Sequence, residues 1–301
     1  MPLLLLFAGG PSVLAADVFW PGQSSRPLPE WLRLINDEAT GPKTLLKWNS
    51  AAEEQGGPPG WDEPLASDRP DFTEASSAVG RGVSQLEMGY TYSYDDGNGA
   101  RVSSHSYPET LLRQGFLTDW LELRFGWNQG SEASELGGTF TSASGSEDLY
   151  LGVKLGLTAQ QGIWPEMSIM PQMTVPLGSV FSTDRVLPGV NWLYGWEITD
   201  FINTGGSTQF NLSIDGLTAD EYVEYAQSWT IGYSLAENVG AYTEWFVLVP
   251  AGAETARTEH YLDAGVTYNW SNNLQFDVRI GKGVSAAATN YFTGVGAVVR
   301  F

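Results

Sequence analysis

Two histidines, His105 and His260, and no cysteine occur in 301 residues, so the chemistry open to this chain is narrow. Without cysteine there is no thiolate nucleophile, no disulfide framework and no cysteine-ligated metal. Hydrolysis by a nucleophile, a base and an orienting acid would have to use one of the two histidines. His105 lies in Ser103-Ser104-His105-Ser106, and His260 has Asp263 three positions on, but neither sits in a nucleophile elbow. Both read as surface or rim side chains. Asp95-Asp96-Gly97-Asn98-Gly99 has the composition of a calcium loop without its spaced ligands or closing glutamate, and reads as a hairpin turn. No phosphate-binding loop or dinucleotide fingerprint occurs, and no metal or cofactor is expected.

The charged residues carry more information through their spacing. Glu87, Glu109, Arg113, Glu122, Arg124, Lys154, Glu197, Glu244, Asp263, Asp277, Arg279 and Arg300 stand opposite apolar faces in segments of period two. Strand side chains alternate between two faces, so these twelve are expected to share one environment and the apolar residues another. Charge of both signs on one face suits the polar lining of a lumen. It equally suits a paired network that fills a narrow barrel.

Twelve segments show the alternation. Leu86, Met88, Tyr90, Tyr92 and Tyr94 mark the first, and Ser104–Gln114, interrupted by Pro108, the second and thinnest. Leu121 to Trp127, Leu149 to Leu157, Met167 to Val175 and Val190 to Ile198 follow. Phe210, Leu212 and Ile214 mark a short seventh. Trp229 to Leu235, Ala241 to Val249, Leu262 to Tyr268, Leu274 to Ile280 and Val295 to Phe301 complete the set. Longer polar connections at Asp95–Ser103, Gln129–Glu147, Gly178–Leu187, Pro250–Glu259 and Lys282–Asn290 interleave with tight ones at Gly115–Asp119, Glu237–Asn238 and Ser271–Asn273. Long outer loops and short periplasmic turns are the habit of transmembrane barrels. Trp120, Trp127, Trp192, Trp196, Tyr268 and Trp270 lie near strand ends, where amphipathic rings suit membrane interfaces. The expected fold is all-β: a transmembrane antiparallel β-barrel of about 12 strands over 85–301, with an irregular N-terminal extension.

Residues 1–16 read as a signal peptide, with the apolar run Leu3–Phe7 and small residues before cleavage after Ala15 or Ala16. Residues 17–84, rich in Pro, Gly, Ser and acids, read as a periplasmic extension or a plug that enters the barrel. A net charge of -20 excludes a nucleic-acid partner, since no basic stripe could neutralise phosphates. The expected location is the bacterial outer membrane, with lipid around the barrel. The aromatic C-terminal Phe301 is expected to be read by the barrel-assembly machinery.

Asp68-Arg69-Pro70-Asp71-Phe72-Thr73-Glu74 and Gly82-Val83-Ser84-Gln85-Leu86-Glu87-Met88-Gly89-Tyr90 resemble the opening of the meta-pathway phenol-degradation family of outer-membrane proteins. Leu121–Asn128, Gly152-Val153-Lys154 and Gly240–Trp245 extend the likeness to Phe301. The resemblance implies a barrel and uptake of hydrophobic or aromatic compounds. The resulting expectation is an outer-membrane channel or transporter for a small-molecule solute and not an enzyme. The alternatives are a barrel enzyme of lipase or esterase type and a non-conducting structural barrel.

Overall fold

The structure is a computed structural model that describes residues 42–49, 56–97 and 99–301. The expected signal peptide and its cleavage site lie outside the described residues. The chain divides into two compact units, and the description concerns the second, Ala39–Phe301.

Thirteen strands occur in chain order: β1 (Ser84–Gly97), β2 (Ala100–Gly115), β3 (Leu121–Leu136), β4 (Thr139–Ser146), β5 (Leu149–Thr158), β6 (Glu166–Val175), β7 (Leu187–Thr199), β8 (Ile202–Ile214), β9 (Glu221–Ala236), β10 (Val239–Ala251), β11 (Glu259–Ser271), β12 (Leu274–Gly283) and β13 (Tyr291–Arg300). All pairings are antiparallel between chain neighbours, apart from the closing pair β1–β13 and the β3–β5 pair that skips β4. The pair β2–β3 joins the two ends of the series, so the sheet closes on itself. The first half of β3 pairs with β5 and its second half with β4, so β4 and β5 form one stave and the barrel has twelve. Closure leaves no open edge through the spanning region, which a bilayer requires because hydrocarbon offers backbone groups no partners.

The faces divide as alternation dictates, with the usual burial inverted. Phe125, Trp192, Phe210, Leu262 and Ile280 point outward and are 46–63% exposed in one series that includes no charge. Arg113, Glu122 and Lys154 are 0% exposed. A soluble protein would invert this arrangement, whereas a barrel in lipid needs it: Arg or Lys on the lipid face costs about 2–4 kcal/mol at the midplane.

Two expected loops are strands. Asp95–Ser103 continues as β1 and β2 as far as the Gly97–Ala100 pair, and most of Gln129–Glu147 is the β3–β4 hairpin. Their side chains are mostly polar or small, with Val102, Leu136 and Phe140 as isolated apolar residues, so they lack the alternation that marks a strand in lipid; cross-strand backbone pairing carries them beyond it. The short seventh segment belongs to the thirteen-residue β8, whose first half reads poorly because Gly205, Gly206 and Ser207 carry no apolar face. Around Pro108 the ladder slips on both sides, and Glu109 adopts φ 44. The bulge changes parity, so Ser106 above it and Glu109 below it both face inward.

Candidate functional site

The interior is built by the N-terminal segment as much as by the strands. Residues 56–83 run through the lumen and join the wall at Gly115, whose N–H donates to Val83 O (2.9 Å) while its carbonyl accepts from Gly82 N–H (3.1 Å). A Cβ on Gly115 would lie 1.6 Å from the Gly80 carbonyl oxygen, so this approach requires glycine.

Three anchors hold the segment. At the first, Asp68 meets Arg113 (3.2 Å), Arg124 (2.6 Å) and Lys154 (3.3 Å) from β2, β3 and β5. Glu122 pairs with Arg113 and Arg124 at 2.8 and 2.9 Å, Glu87 with Arg113 at 3.2 Å, and Glu74 with Arg124 at 2.5 Å. Lys154 also donates to Ala75 O, and Arg113 to Ala66 O and Ser77 O. At the second anchor, Arg69 bridges Glu109 (2.8 Å) and Asp277 (3.3 Å). Its guanidinium lies across Gly89 and Gly296, register partners on β1 and β13, where any Cβ would come within 2.3 Å of it. The paired glycines are therefore a notch cut for this side chain. At the third, Glu244 accepts from the N–H groups of Phe72 (2.6 Å) and Thr73 (2.8 Å) and from the Thr73 hydroxyl (2.5 Å).

The remaining inward charges serve the same fit. Asp263 accepts from the Tyr242 hydroxyl at 2.8 Å, and Arg279 donates to Pro70 O and the Thr91 hydroxyl. Arg300 sits at the rim, where it donates to Asn273 Oδ1 (2.8 Å) and Glu63 O (2.8 Å) with the Trp61 ring 5.0 Å away. Glu197 faces inward near the same end but bonds none of the segment's charges. Ten of the twelve residues singled out from spacing thus bond the segment or one another, while Asp263 bonds Tyr242 and Glu197 stands apart.

Among the described residues, the segment lines an inner space and an outer one. The inner one, about 360 Å³, lies between residues 56–77 and the β6–β9 wall, at the end with the short turns. The outer one, about 290 Å³, is lined by Phe72, Phe246, Leu248, Tyr261 and Phe292 with Thr91, Ser93, Thr289 and Arg279. Phe72 stacks on Phe246 at 4.4 Å and Phe246 on Tyr261 at 4.7 Å, while the Arg279 guanidinium lies 5.5 Å from the Phe292 ring. Between the spaces Thr73 and Glu74 form a bar: the Thr73 hydroxyl is 2.6 Å from that of Ser228 on β9, and Glu74 accepts from Asn191 on β7 at 2.7 Å. The aromatic group escapes a reading by parity because Trp245-Phe246-Val247 is apolar on both faces; that break in alternation is its signal.

Both histidines face outward. His105 Nδ1 is 2.7 Å from the Tyr90 hydroxyl and its ring packs on Tyr92, while His260 stacks on Trp245. Among the described residues no group of three His, Cys, Asp or Glu side chains could hold a metal ion.

At the outer end, carboxylates tie neighbouring loops. Hydrogen bonds from the Thr255 hydroxyl and N–H, joined by those of Leu217 and Ala256, hold the Asp215 carboxyl well below the usual carboxylate range. At Asp148 burial works to raise the pKa, but bonds from Ser182 and Thr183 outweigh it and lower it.

The fold is that of outer-membrane β-barrels. The transport unit of the autotransporter AIDA-I from Escherichia coli is similar over 76% of this chain and 93% of its own, with TM-score 0.51 and 8% identity. The translocator domain of the autotransporter NalP from Neisseria meningitidis matches over 74% and 89%, with TM-score 0.47 and 11% identity. The NanC porin matches over 72% and 98%, with TM-score 0.45 and 11% identity. At these identities the likeness is one of fold. No curated protein matches the sequence. The family model described as "Putative MetA-pathway of phenol degradation" matches residues 67–301, from the lumen segment to the last strand, and the chain belongs to that family.

Proposed function

We propose that the protein is an outer-membrane channel for small solutes that carry an aromatic or apolar group, and that its own N-terminal segment divides the lumen into two compartments. The observation that carries this reading is the outer aromatic compartment. Phe246, Leu248, Tyr261 and Phe292 occupy inward positions, where a barrel filled only for stiffness could use the polar residues found elsewhere on its inner wall. Phe72, Phe246 and Tyr261 stack on one another and Phe292 meets Tyr261 edge-on, so together they present one continuous aromatic wall to the compartment, and pockets of this kind bind through apolar area with a few polar groups for orientation. Passage from this compartment to the inner one requires the Thr73–Glu74 bar to move. No step calls for a reaction.

The bar and the buried ion network also favour a second reading, a barrel that does not conduct. Planar-bilayer recording separates the two. The channel is expected to carry a potassium chloride current that resorcinol interrupts more strongly than 1,3-cyclohexanediol, with the difference lost in Phe246→Ala. Absence of any current, or equal interruption in wild type and variant, would contradict the proposal.

A further inference from the structure

The inner compartment has a character of its own. Among the described residues that line it, the charged ones are of one sign: Asp71 and Glu74 from the segment, Glu166 from β6 and Glu197 from β7. Glu74 is neutralised by Arg124. Glu166 accepts only from neutral donors, the Gly57 N–H (2.7 Å) and the Ser76 hydroxyl (2.6 Å). Glu197 contributes only its backbone to described bonds, through Gln160, and its side chain is exposed to the compartment.

A second feature points to a ligand. Thr230 faces inward from β9 into the same space and is 9% exposed, and its hydroxyl has no hydrogen-bond partner. A buried hydroxyl without a partner carries a desolvation penalty that a bound donor or acceptor removes. The neighbouring wall offers none, since Gly205 is its register partner on β8 and Glu244 on β10 is engaged by Phe72 and Thr73. The carboxylates do not converge as a metal would require. Spread around about 360 Å³, they match a molecule whose positive charge is itself spread along a short chain.

We propose that the inner compartment is a binding site for a small organic cation, a short diamine in chemical class, held by Glu166 and Glu197 with Thr230 as a neutral hydrogen-bonding partner. Charge-assisted hydrogen bonds from ammonium to carboxylate supply the selectivity, because an anion of the same length would meet carboxylates of its own sign. The site does not depend on conduction through the aromatic compartment.

Calorimetric titration of the full folded chain in detergent tests the proposal, with 1,5-diaminopentane as probe and 1,5-pentanediol and glutarate as neutral and anionic comparators. The diamine is expected to bind while the comparators do not, and Glu197→Gln should weaken it by about tenfold, the loss of one charge-assisted contact. Thr230→Val should weaken it by a smaller factor, and it decides the matter if Glu197→Gln fails to fold. No heat from the diamine, equal heat from the diol, or unchanged affinity in the folded variants would overturn the site. Diamine binding by a barrel that carries no current would leave the site standing and remove only the channel.

Discussion

At Asp68 one carboxylate answers three cations, none of them exposed to water. Removing one member of a buried ionic group leaves its partners uncompensated, so Asp68→Ala is expected to cost about 3–5 kcal/mol of barrel stability. The midpoint of urea unfolding in detergent measures it; an unchanged midpoint would show that water reaches this network. Much of the network is legible in the sequence, because parity alone puts Glu87, Arg113, Glu122, Arg124 and Lys154 on one face. Their partners are not legible, because Asp68 and Glu74 lie in a stretch with no period, where nothing local says which wall they meet. Glu122 illustrates the difference. Inward parity suits a selectivity residue, but between two guanidiniums its work is structural.

Among the elements, the strands are the most readable part. Each of the twelve alternating segments falls on a stave, since a wall between lipid and a polar interior imposes alternation residue by residue. The structure departs from that reading where the constraint lapses: the outer ends of β1–β3 and all of β4 leave the lipid, and small residues fill the start of β8. The loops that follow are held by single residues. Asp215 joins the 215–220 loop to the 252–258 loop through Thr255 and Ala256. Because its pKa is depressed in the folded chain, its contribution is present above the ordinary aspartate pKa and is lost as pH falls through the lower folded value. Hydrogen exchange at Thr255 and Ala256 should thus stay slow through mildly acidic pH and quicken only in strong acid, whereas Asp215→Asn should exchange faster at neutral pH. Protection lost already at the ordinary aspartate pKa would refute this.

For the whole molecule, the barrel and its lumen segment form one ion-paired unit, in which the segment leaves an aromatic compartment on one side and an acidic one on the other. Twelve strands and their parity follow from the sequence, but the filling of the lumen depends on contacts such as Arg69 to Asp277, 208 residues apart, which no local pattern encodes. The central claim is that the Thr73–Glu74 bar separates the compartments and must move for solutes to pass. The absence of cysteine makes its test clean. In Thr73→Cys/Ser228→Cys the two introduced thiols replace hydroxyls 2.6 Å apart, so oxidation can pin the segment to β9. Single-channel recording across reduction is the most direct measurement: the oxidised protein should be silent, and a reductant added to the bath should restore a current like that of the wild type. An oxidised, cross-linked protein that conducts as well as the reduced one would contradict the account.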